Sequence, residues 1–132
     1  MQNIAQPFFP PVYKGSILSE SLADPILLNK YAHIYVKVQK HPESKEHPFW
    51  HMFKVSVNDD EIHTATKECA AQLKSGWYAH FWSHDTVYVV LREKVFVIPR
   101  ESKWQSKAYL EAKKYALEQG IAERYLDFWL ED

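Results

Sequence analysis

The sequence contains only three glycines and one cysteine in 132 residues. So few glycines exclude the glycine-rich loops that hold phosphate groups. The single cysteine, Cys69, cannot form a disulfide within the chain and is typical of a reducing compartment. It falls in the apolar stripe of a predicted helix, which favours a small buried hydrophobic residue over a nucleophile.

An excess of charge is also lacking, because the formal net charge is −1. Nucleic-acid binding depends on clustered Lys and Arg, so this composition argues against DNA or RNA as a partner. No apolar run reaches the roughly 20 residues of a membrane-spanning helix. The first residues show no basic region followed by an apolar one, as a secretory signal would. We therefore predict a cytoplasmic protein with no membrane partner.

Aromatic residues, by contrast, are abundant at 15%, and many lie between Gly76 and Pro99. This stretch predicts three short strands, joined by turns at His84–Asp85 and Glu93–Lys94. A half-exposed strand alternates apolar and polar residues, whereas these strands are apolar on both sides. Strand alternation separates two sets of side chains: Tyr78, His80 and Trp82 on one face, and Trp77, Ala79 and Phe81 on the other. Both faces of this sheet must therefore pack against something that shields them from solvent.

Elsewhere, alternating apolar residues predict two half-buried strands, at His33–Gln39 and Trp50–Val57. The polar segment between them predicts a loop, so we expect the two strands to pair as an antiparallel hairpin. Residues 1–20 are predicted to be an irregular arm, because their prolines and Gly15 interrupt regular structure. The apolar residues of this arm indicate that it packs on the domain or on a second copy.

Apolar residues at helical spacing predict two helices, at 58–75 and 102–120. A capping-box pattern opens each of them: Asn58 with Glu61, and Ser102 with Gln105. Gly76 and Gly120 are expected to end these helices in the left-handed conformation. A shorter helical segment is predicted to start at Asp24, which precedes a proline.

The predicted order is β-β-α-β-β-β-α, with no βαβ repeat, which favours an α+β fold over a doubly wound parallel one. We expect a single domain over residues 21–132. It has a mainly antiparallel five-stranded sheet with two helices on one face, ferredoxin-like or a variant of that plan. The other face must then meet the N-terminal arm, the C-terminal segment, a second subunit or a ligand.

Several segments together resemble a family of small uncharacterised bacterial and archaeal proteins: Ser19–Leu22, the strand containing Trp50 and His51, Gly76–Phe81, Val87–Phe96 and Gly120–Phe128. The resemblance covers about residues 15–128. Its motifs are not catalytic signatures, and the function of that family is unassigned. The resemblance therefore implies a free-standing cytoplasmic α+β protein and carries no activity over to this chain.

The sequence contains no standard metal-binding or catalytic pattern, although it has seven histidines. If a metal bound, His51, His80 and a carboxylate such as Glu61 would be the candidates, but no zinc-type spacing connects them. Cys69 and His63 lie on different faces of their helix, and no serine has the glycine-bounded elbow of a nucleophile. We predict no catalytic residues, no metal and no cofactor.

The remaining functional candidates are aromatic side chains with polar tips. Tyr78, His80 and Trp82 alternate on one sheet face, and Trp50 and His51 could extend that surface into a ligand site. The alternative is that this face is simply core. We predict a non-enzymatic binding or self-association module, with homo-oligomers forming through the second sheet face or the arm. The alternative function is a small-molecule-binding protein or an enzyme that uses the aromatic and histidine-lined face.

Overall fold

The structure is a computed structural model, which describes residues 12–128 of the chain. Six strands form one sheet in this part of the chain: β1 Val12–Leu18, β2 Ala32–Lys40, β3 Phe49–Asn58, β4 Ala79–Trp82, β5 Thr86–Leu91 and β6 Lys94–Pro99. Two α-helices accompany them, α1 Ile62–Gln72 and α2 Lys107–Glu118. Short 3-10 helices occupy Ser19–Ser21, Pro25–Lys30, Asp59–Glu61, Lys103–Gln105 and Glu123–Tyr125.

The strands are ordered β2-β3-β1-β4-β5-β6, and every neighbouring pair is antiparallel. The predicted antiparallel α+β fold is therefore confirmed, but with six strands rather than five. The additional strand is β1, which lies inside the sheet between β3 and β4. The prediction of an irregular arm over residues 1–20 is thus wrong for Val12–Leu18. The arm residues 1–11 lie outside the described residues.

Gly15 is one reason why β1 was not predicted from the sequence. It lies in the middle of β1, opposite Phe81 on β4 and Val55 on β3. A Cβ atom at this position would lie 2.4 Å from Cδ2 of Phe81, so the aromatic ring occupies the space of the missing side chain. The glycine marks a close cross-strand contact and not an interruption of the strand.

The two α-helices cover opposite faces of the sheet, so the prediction that they share one face is wrong. α1 packs in a core cluster with Phe81 and Val90, whereas α2 packs in a second cluster with Trp82 and Val89. Consecutive residues of a strand point to opposite faces, which separates the two clusters by the thickness of the sheet. The ferredoxin-like prediction shares with the structure the antiparallel sheet and its packed helices.

The three-stranded meander between Gly76 and Pro99 is confirmed, including which residues share a face. The predicted turn at His84–Asp85 is also confirmed. The second turn lies at Arg92–Glu93, so Val89 pairs with Phe96 rather than with Ile98. The predicted partner of Val89 was thus wrong by two residues. The predicted faces were still correct, because side chains alternate between the faces with a period of two.

The hairpin of β2 and β3 is confirmed as an antiparallel pair. The prediction that the first strand is half-buried is wrong, since Ile34, Val36 and Val38 are 49% to 61% exposed. β2 is an edge strand, and neither core cluster includes a residue from it. Alternation in the sequence identified the strand but not its position at the edge of the sheet.

The helix termini match the sequence signals in part. Asp24 caps Pro25–Lys30 as predicted, with its side chain accepting a hydrogen bond from a backbone N–H. Asn58 makes no capping bond through its side chain, and α1 begins only after the turn Asp59–Glu61. α2 is capped by Ser106 rather than by the predicted Ser102.

Glycine ends α2 in the predicted manner. Gly120 has a φ of +88°, and the N–H of Ile121 returns to the carbonyl of Ala116 at 3.1 Å. Gly76 also has a positive φ, +91°, although α1 already ends at Gln72. A left-handed residue with a backward hydrogen bond directs the chain after α2 back onto the sheet.

None of the helices between residues 12 and 128 combines the length and apolar character that a membrane crossing requires.

Cys69 is fully buried in the cluster beneath α1, as predicted. Burial raises the pKa of its thiol to about 12. Almost no thiolate is then present near neutral pH, and the thiolate is the reactive form. The side chain acts as a small apolar part of the core.

Candidate ligand-binding site

A cavity of about 450 Å³ lies on the face of the sheet that α2 covers. Its floor is formed by β1, β3 and β4. One wall is the loop between β2 and β3, and the opposite wall is the segment that follows α2. The left-handed turn at Gly120 directs that segment over the sheet, so the end of α2 determines where this wall stands.

Strand alternation explains which side chains enter the cavity. On β4, His80 and Trp82 share the face toward α2, and Tyr78 just before the strand lies with them. On β3, Trp50 and its neighbours two and four residues later point to the same face. These strands are separated by β1, so the two sets meet only because β1 completes the sheet between them.

Four of the five predicted ligand-binding residues line this cavity: Tyr78, His80, Trp82 and Trp50. The fifth, His51, does not, because strand alternation directs it to the opposite face. There its Nδ1 lies 2.6 Å from Oε2 of Glu20, and its backbone N–H donates to Oε1 of the same carboxylate at 2.8 Å. His51 is thus held in an exposed contact outside the cavity.

The sequence-based interpretation missed several lining residues. Lys54 follows Trp50 at strand spacing and could have been included by extending the alternation along β3. Ser16 was assigned to an irregular arm. Trp77 was assigned to the other face, where it does pack against the cluster beneath α1, but it also lines the cavity. Tyr125 lies in a segment with no periodic pattern, so no local signal placed it beside the sheet.

The mouth of the cavity is aromatic. The ring centroid of Trp50 lies 5.3 Å from that of Trp77 and 5.8 Å from that of Tyr125, at interplanar angles of 63° and 52°. His41 from the loop stacks on Trp50 at 3.6 Å. Such tilted and stacked pairs favour a fixed arrangement of the rings. The Nε1 atom of Trp50 is buried and donates to no acceptor among residues 12–128.

Deeper in the cavity, His80 stacks on Trp82 with their ring centroids 5.1 Å apart. The hydroxyl of Tyr78 donates to the backbone carbonyl of Tyr125 at 2.8 Å, which joins β4 to the segment after α2. Burial, with a smaller contribution from the charge of Asp127, raises the pKa of Tyr78 above its ordinary value. Tyr78 therefore stays a neutral hydrogen-bond donor.

The two walls are joined by Glu43. Its Oε2 accepts a hydrogen bond from the hydroxyl of Tyr125 at 2.8 Å and lies 2.8 Å from Nδ1 of His41. The contact with His41, followed by that with Tyr125, lowers the pKa of Glu43 to about 2. The β2–β3 loop is thereby connected to the segment that follows α2.

This connection predicts a dependence on pH. The pKa of Glu43 is lower in the folded state than its ordinary value of 4.5, so its contribution to stability is present above pH 4.5. That contribution decreases as the pH falls from 4.5 toward about 2. We expect the thermal midpoint of the wild type to fall more steeply over this range than that of Glu43→Gln.

Differential scanning fluorimetry at stepped pH measures this difference. Glu46→Gln, in the same loop, is the matched control and should follow the wild type. Equal slopes for the wild type and Glu43→Gln would show that the link between the walls contributes nothing to stability.

A second groove, of about 440 Å³, lies between Pro25–Lys30, the start of α1 and β3. Most of its lining residues are polar, and an ion pair joins Lys30 to Glu68 at 2.9 Å. Tyr31 is its aromatic member, and the hydroxyl of Tyr31 already donates to the carbonyl of Ala65. The first cavity has more aromatic lining residues and is therefore the better candidate for a ligand site.

Within residues 12–128, no group of three or more His, Cys, Asp or Glu side chains is placed to hold a metal ion. The metal candidates His51 and His80 lie on opposite faces of the sheet. Comparisons of the chain with protein families, curated proteins and solved structures found no match. The resemblance to a family of small bacterial and archaeal proteins stays a prediction.

Proposed function

We propose that the protein is a non-enzymatic binding protein that holds a small, mainly aromatic molecule in the cavity between the β2–β3 loop and the segment after α2. The observation that carries this proposal is a concave site of about 450 Å³ with an aromatic mouth and a few buried polar groups. Small-molecule sites are typically cavities of about 300–1,000 Å³ with this kind of lining. The buried Nε1 of Trp50 supports the proposal, because a ligand acceptor would satisfy it.

The test uses N-phenyl-1-naphthylamine, a neutral aromatic probe whose fluorescence increases in apolar surroundings. We expect saturable binding that also quenches tryptophan fluorescence. Trp50→Ala and Trp77→Ala should each weaken binding about tenfold, because each removes an aromatic contact and buried apolar area. Circular dichroism verifies that the variants are folded.

Val38→Ser is the matched control, because Val38 is apolar and exposed on β2 but does not line the cavity. It should bind the probe as the wild type does. Absence of saturable binding would overturn the proposal. So would loss of binding in Val38→Ser with full binding in Trp50→Ala, since the probe would then sit on the exposed edge of the sheet.

Self-association is a second proposal, which the exposed edge strand β2 favours. A second subunit was one of the expected covers for the other sheet face, and α2 and the segment that follows it pack there. An antiparallel pairing of β2 with a second copy, centred on Val36, would place Val38 opposite Ile34 and Lys37 opposite Tyr35. Unpaired edge strands with apolar side chains pair readily. A monomer in equilibrium sedimentation at high protein concentration would overturn this proposal.

Two broader expectations also stand as proposals. A cytoplasmic location is supported by the single cysteine, which is buried and unreactive. A variant of the ferredoxin-like plan is supported by the antiparallel sheet with helices packed on it. Neither affects the ligand proposal, which depends on the cavity alone.

A further inference from the structure

The β2–β3 loop, residues 41–48, forms one wall of the cavity but contributes no residue to either core cluster. None of its residues is buried. A hydrogen bond from the backbone N–H of His41 to the carbonyl of Pro48, at 2.7 Å, closes the loop at its base. Within it, the N–H of Ser44 donates to the carbonyl of His41 at 2.9 Å. Segments with few buried apolar contacts are the ones that open locally at low free-energy cost.

The opposite wall, which follows α2, is held at several points. The hydroxyl of Tyr78 donates to the carbonyl of Tyr125 at 2.8 Å, and the hydroxyl of Tyr109 donates to the carbonyl of Leu126 at 2.9 Å. Leu126 and Phe128 are fully buried in the cluster beneath α2. Of the two walls, the loop is therefore the one that can move while the rest of the fold stays in place.

A side-chain hydrogen bond crosses the cavity from one wall to the other. Oε2 of Glu43 accepts it from the hydroxyl of Tyr125 at 2.8 Å, and both residues line the cavity. Its two partners are 82 positions apart in the sequence, so only the closed position of the loop brings them together. The bond is exposed, and both groups can bond to water when it breaks. It can therefore favour the closed loop and still open.

Two histidines place the closed loop against the aromatic mouth. Nδ1 of His41 lies 2.8 Å from Oε2 of Glu43, and its ring stacks on Trp50 at 3.6 Å between centroids. His47 meets Trp77 edge-on at 5.8 Å. Both tryptophans line the cavity, so the loop in this position narrows its mouth.

We infer that the β2–β3 loop is a lid over the cavity, that the hydrogen bond between Glu43 and Tyr125 latches it closed, and that a ligand enters and leaves when this bond is broken. This inference rests on the proposed function and adds how access to its site is controlled. The segment after α2 is the fixed side of the latch, and the loop is its moving side.

The hinge of the lid lies at Lys40 and Phe49, the last residue pair of the β2–β3 ladder. Pro42 and Pro48 restrict the backbone φ angle near both ends of the loop. The loop is therefore expected to swing as one piece. Lid motions of this kind occur in microseconds to milliseconds and often control how fast a ligand is exchanged.

Stopped-flow fluorescence with N-phenyl-1-naphthylamine tests the latch by measuring the rate constants of binding and release. Tyr125→Phe removes the hydroxyl of the latch and keeps the aromatic ring at the mouth. We expect both rate constants to rise about tenfold, as the loss of one hydrogen bond to a charged group allows, and the Kd to change less than about twofold. The latch closes the empty and the occupied cavity alike, so its loss accelerates entry and exit by the same factor.

Two further variants separate the latch from other effects of the substitution. Glu43→Ala removes the hydrogen bond from the loop side and should give the same acceleration. Combining it with Tyr125→Phe should add no further acceleration, because both changes remove the same contact. Tyr115→Phe is the matched control, since that hydroxyl donates to the carbonyl of Arg92 at 2.7 Å outside the cavity. It should leave both rate constants unchanged, and circular dichroism verifies that all variants are folded.

The outcomes separate this inference from the proposed function. Saturable binding with wild-type rate constants in Tyr125→Phe overturns the inference and leaves the function standing. Faster release with unchanged binding also overturns it, since the hydroxyl would then contact the ligand directly. The same holds if the effects of Tyr125→Phe and Glu43→Ala multiply in the double variant. If the probe does not bind to the wild type at all, the proposed function and the inference fall together.

Discussion

Phe128→Ala is expected to reduce the free energy of unfolding by about 3–5 kcal/mol, the usual cost of truncating a buried phenylalanine. Phe128 is fully buried in the cluster beneath α2. Its ring meets Tyr78 edge-on at 5.0 Å and Tyr109 at 5.8 Å between centroids. A small domain has only about 5–15 kcal/mol of stability in total, so this loss would be a large share of it.

The same substitution should weaken ligand binding, because it loosens a wall of the cavity. Phe128 fixes the end of the segment after α2, in which Tyr125 faces the mouth. The hydroxyl of Tyr109 also holds that segment, donating to the carbonyl of Leu126 at 2.9 Å. With its main apolar contact removed, the segment should open locally more often, and the affinity for N-phenyl-1-naphthylamine should fall.

Urea denaturation monitored by circular dichroism measures the stability change, and the probe titration measures the binding change. Leu110→Ala is the matched control, because Leu110 is 57% exposed on α2 and its truncation should cost little. A Phe128→Ala protein as stable as Leu110→Ala would contradict the packing of this segment against the sheet.

Gly15→Ala is expected to destabilise the protein by about 1–3 kcal/mol, the usual cost of overpacking a core. The added Cβ would lie 2.4 Å from Cδ2 of Phe81 and 3.0 Å from Cγ2 of Val55. Both neighbours are fully buried and lie on the two strands that flank β1. Neither the ring of Phe81 nor the strand that carries Val55 can move aside without disturbing the centre of the sheet.

A double-mutant cycle with Phe81→Leu tests the cause. If the clash is the reason, the cost of Gly15→Ala should be smaller in the Phe81→Leu background than in the wild type. Gly120→Ala is the control for the effect of backbone conformation without a clash. Gly120 has a positive φ, but no heavy atom lies within 4 Å of the Cβ atom that the substitution would add. A Gly15→Ala protein with wild-type stability would mean that β1 does not pair with β4 in this register.

Features that depend on neighbours in sequence could be predicted from the sequence. Alternation identified the strands of the meander and which of their side chains share a face, so Tyr78, His80 and Trp82 were grouped correctly. Local chemistry also identified Asp24 as a helix cap and Gly120 as a helix end. These signals suffice because strand alternation and helix caps are determined within a few residues.

Three local signals gave a wrong prediction. From the sequence alone, Gly15 predicts an interruption of the strand. In the structure the ring of Phe81 packs against it, so the glycine lies within the strand. The capping-box pattern at Asn58 predicts a helix start that the turn Asp59–Glu61 replaces. His51 was predicted to extend the cavity surface together with Trp50, but the two are consecutive residues of a strand and therefore point to opposite faces.

Local sequence patterns were sufficient to predict the secondary-structure class, the burial of Cys69 and the two faces of the meander. Three further features depend on tertiary contacts: the place of β1 inside the sheet, the packing of the helices on opposite faces, and the cavity between the β2–β3 loop and the segment after α2. The physical reason is that β1 pairs with strands far along the chain, and such pairings depend on side-chain fit across the sheet. Ser16, for example, lies opposite Lys54 and His80 only because β1 stands between β3 and β4.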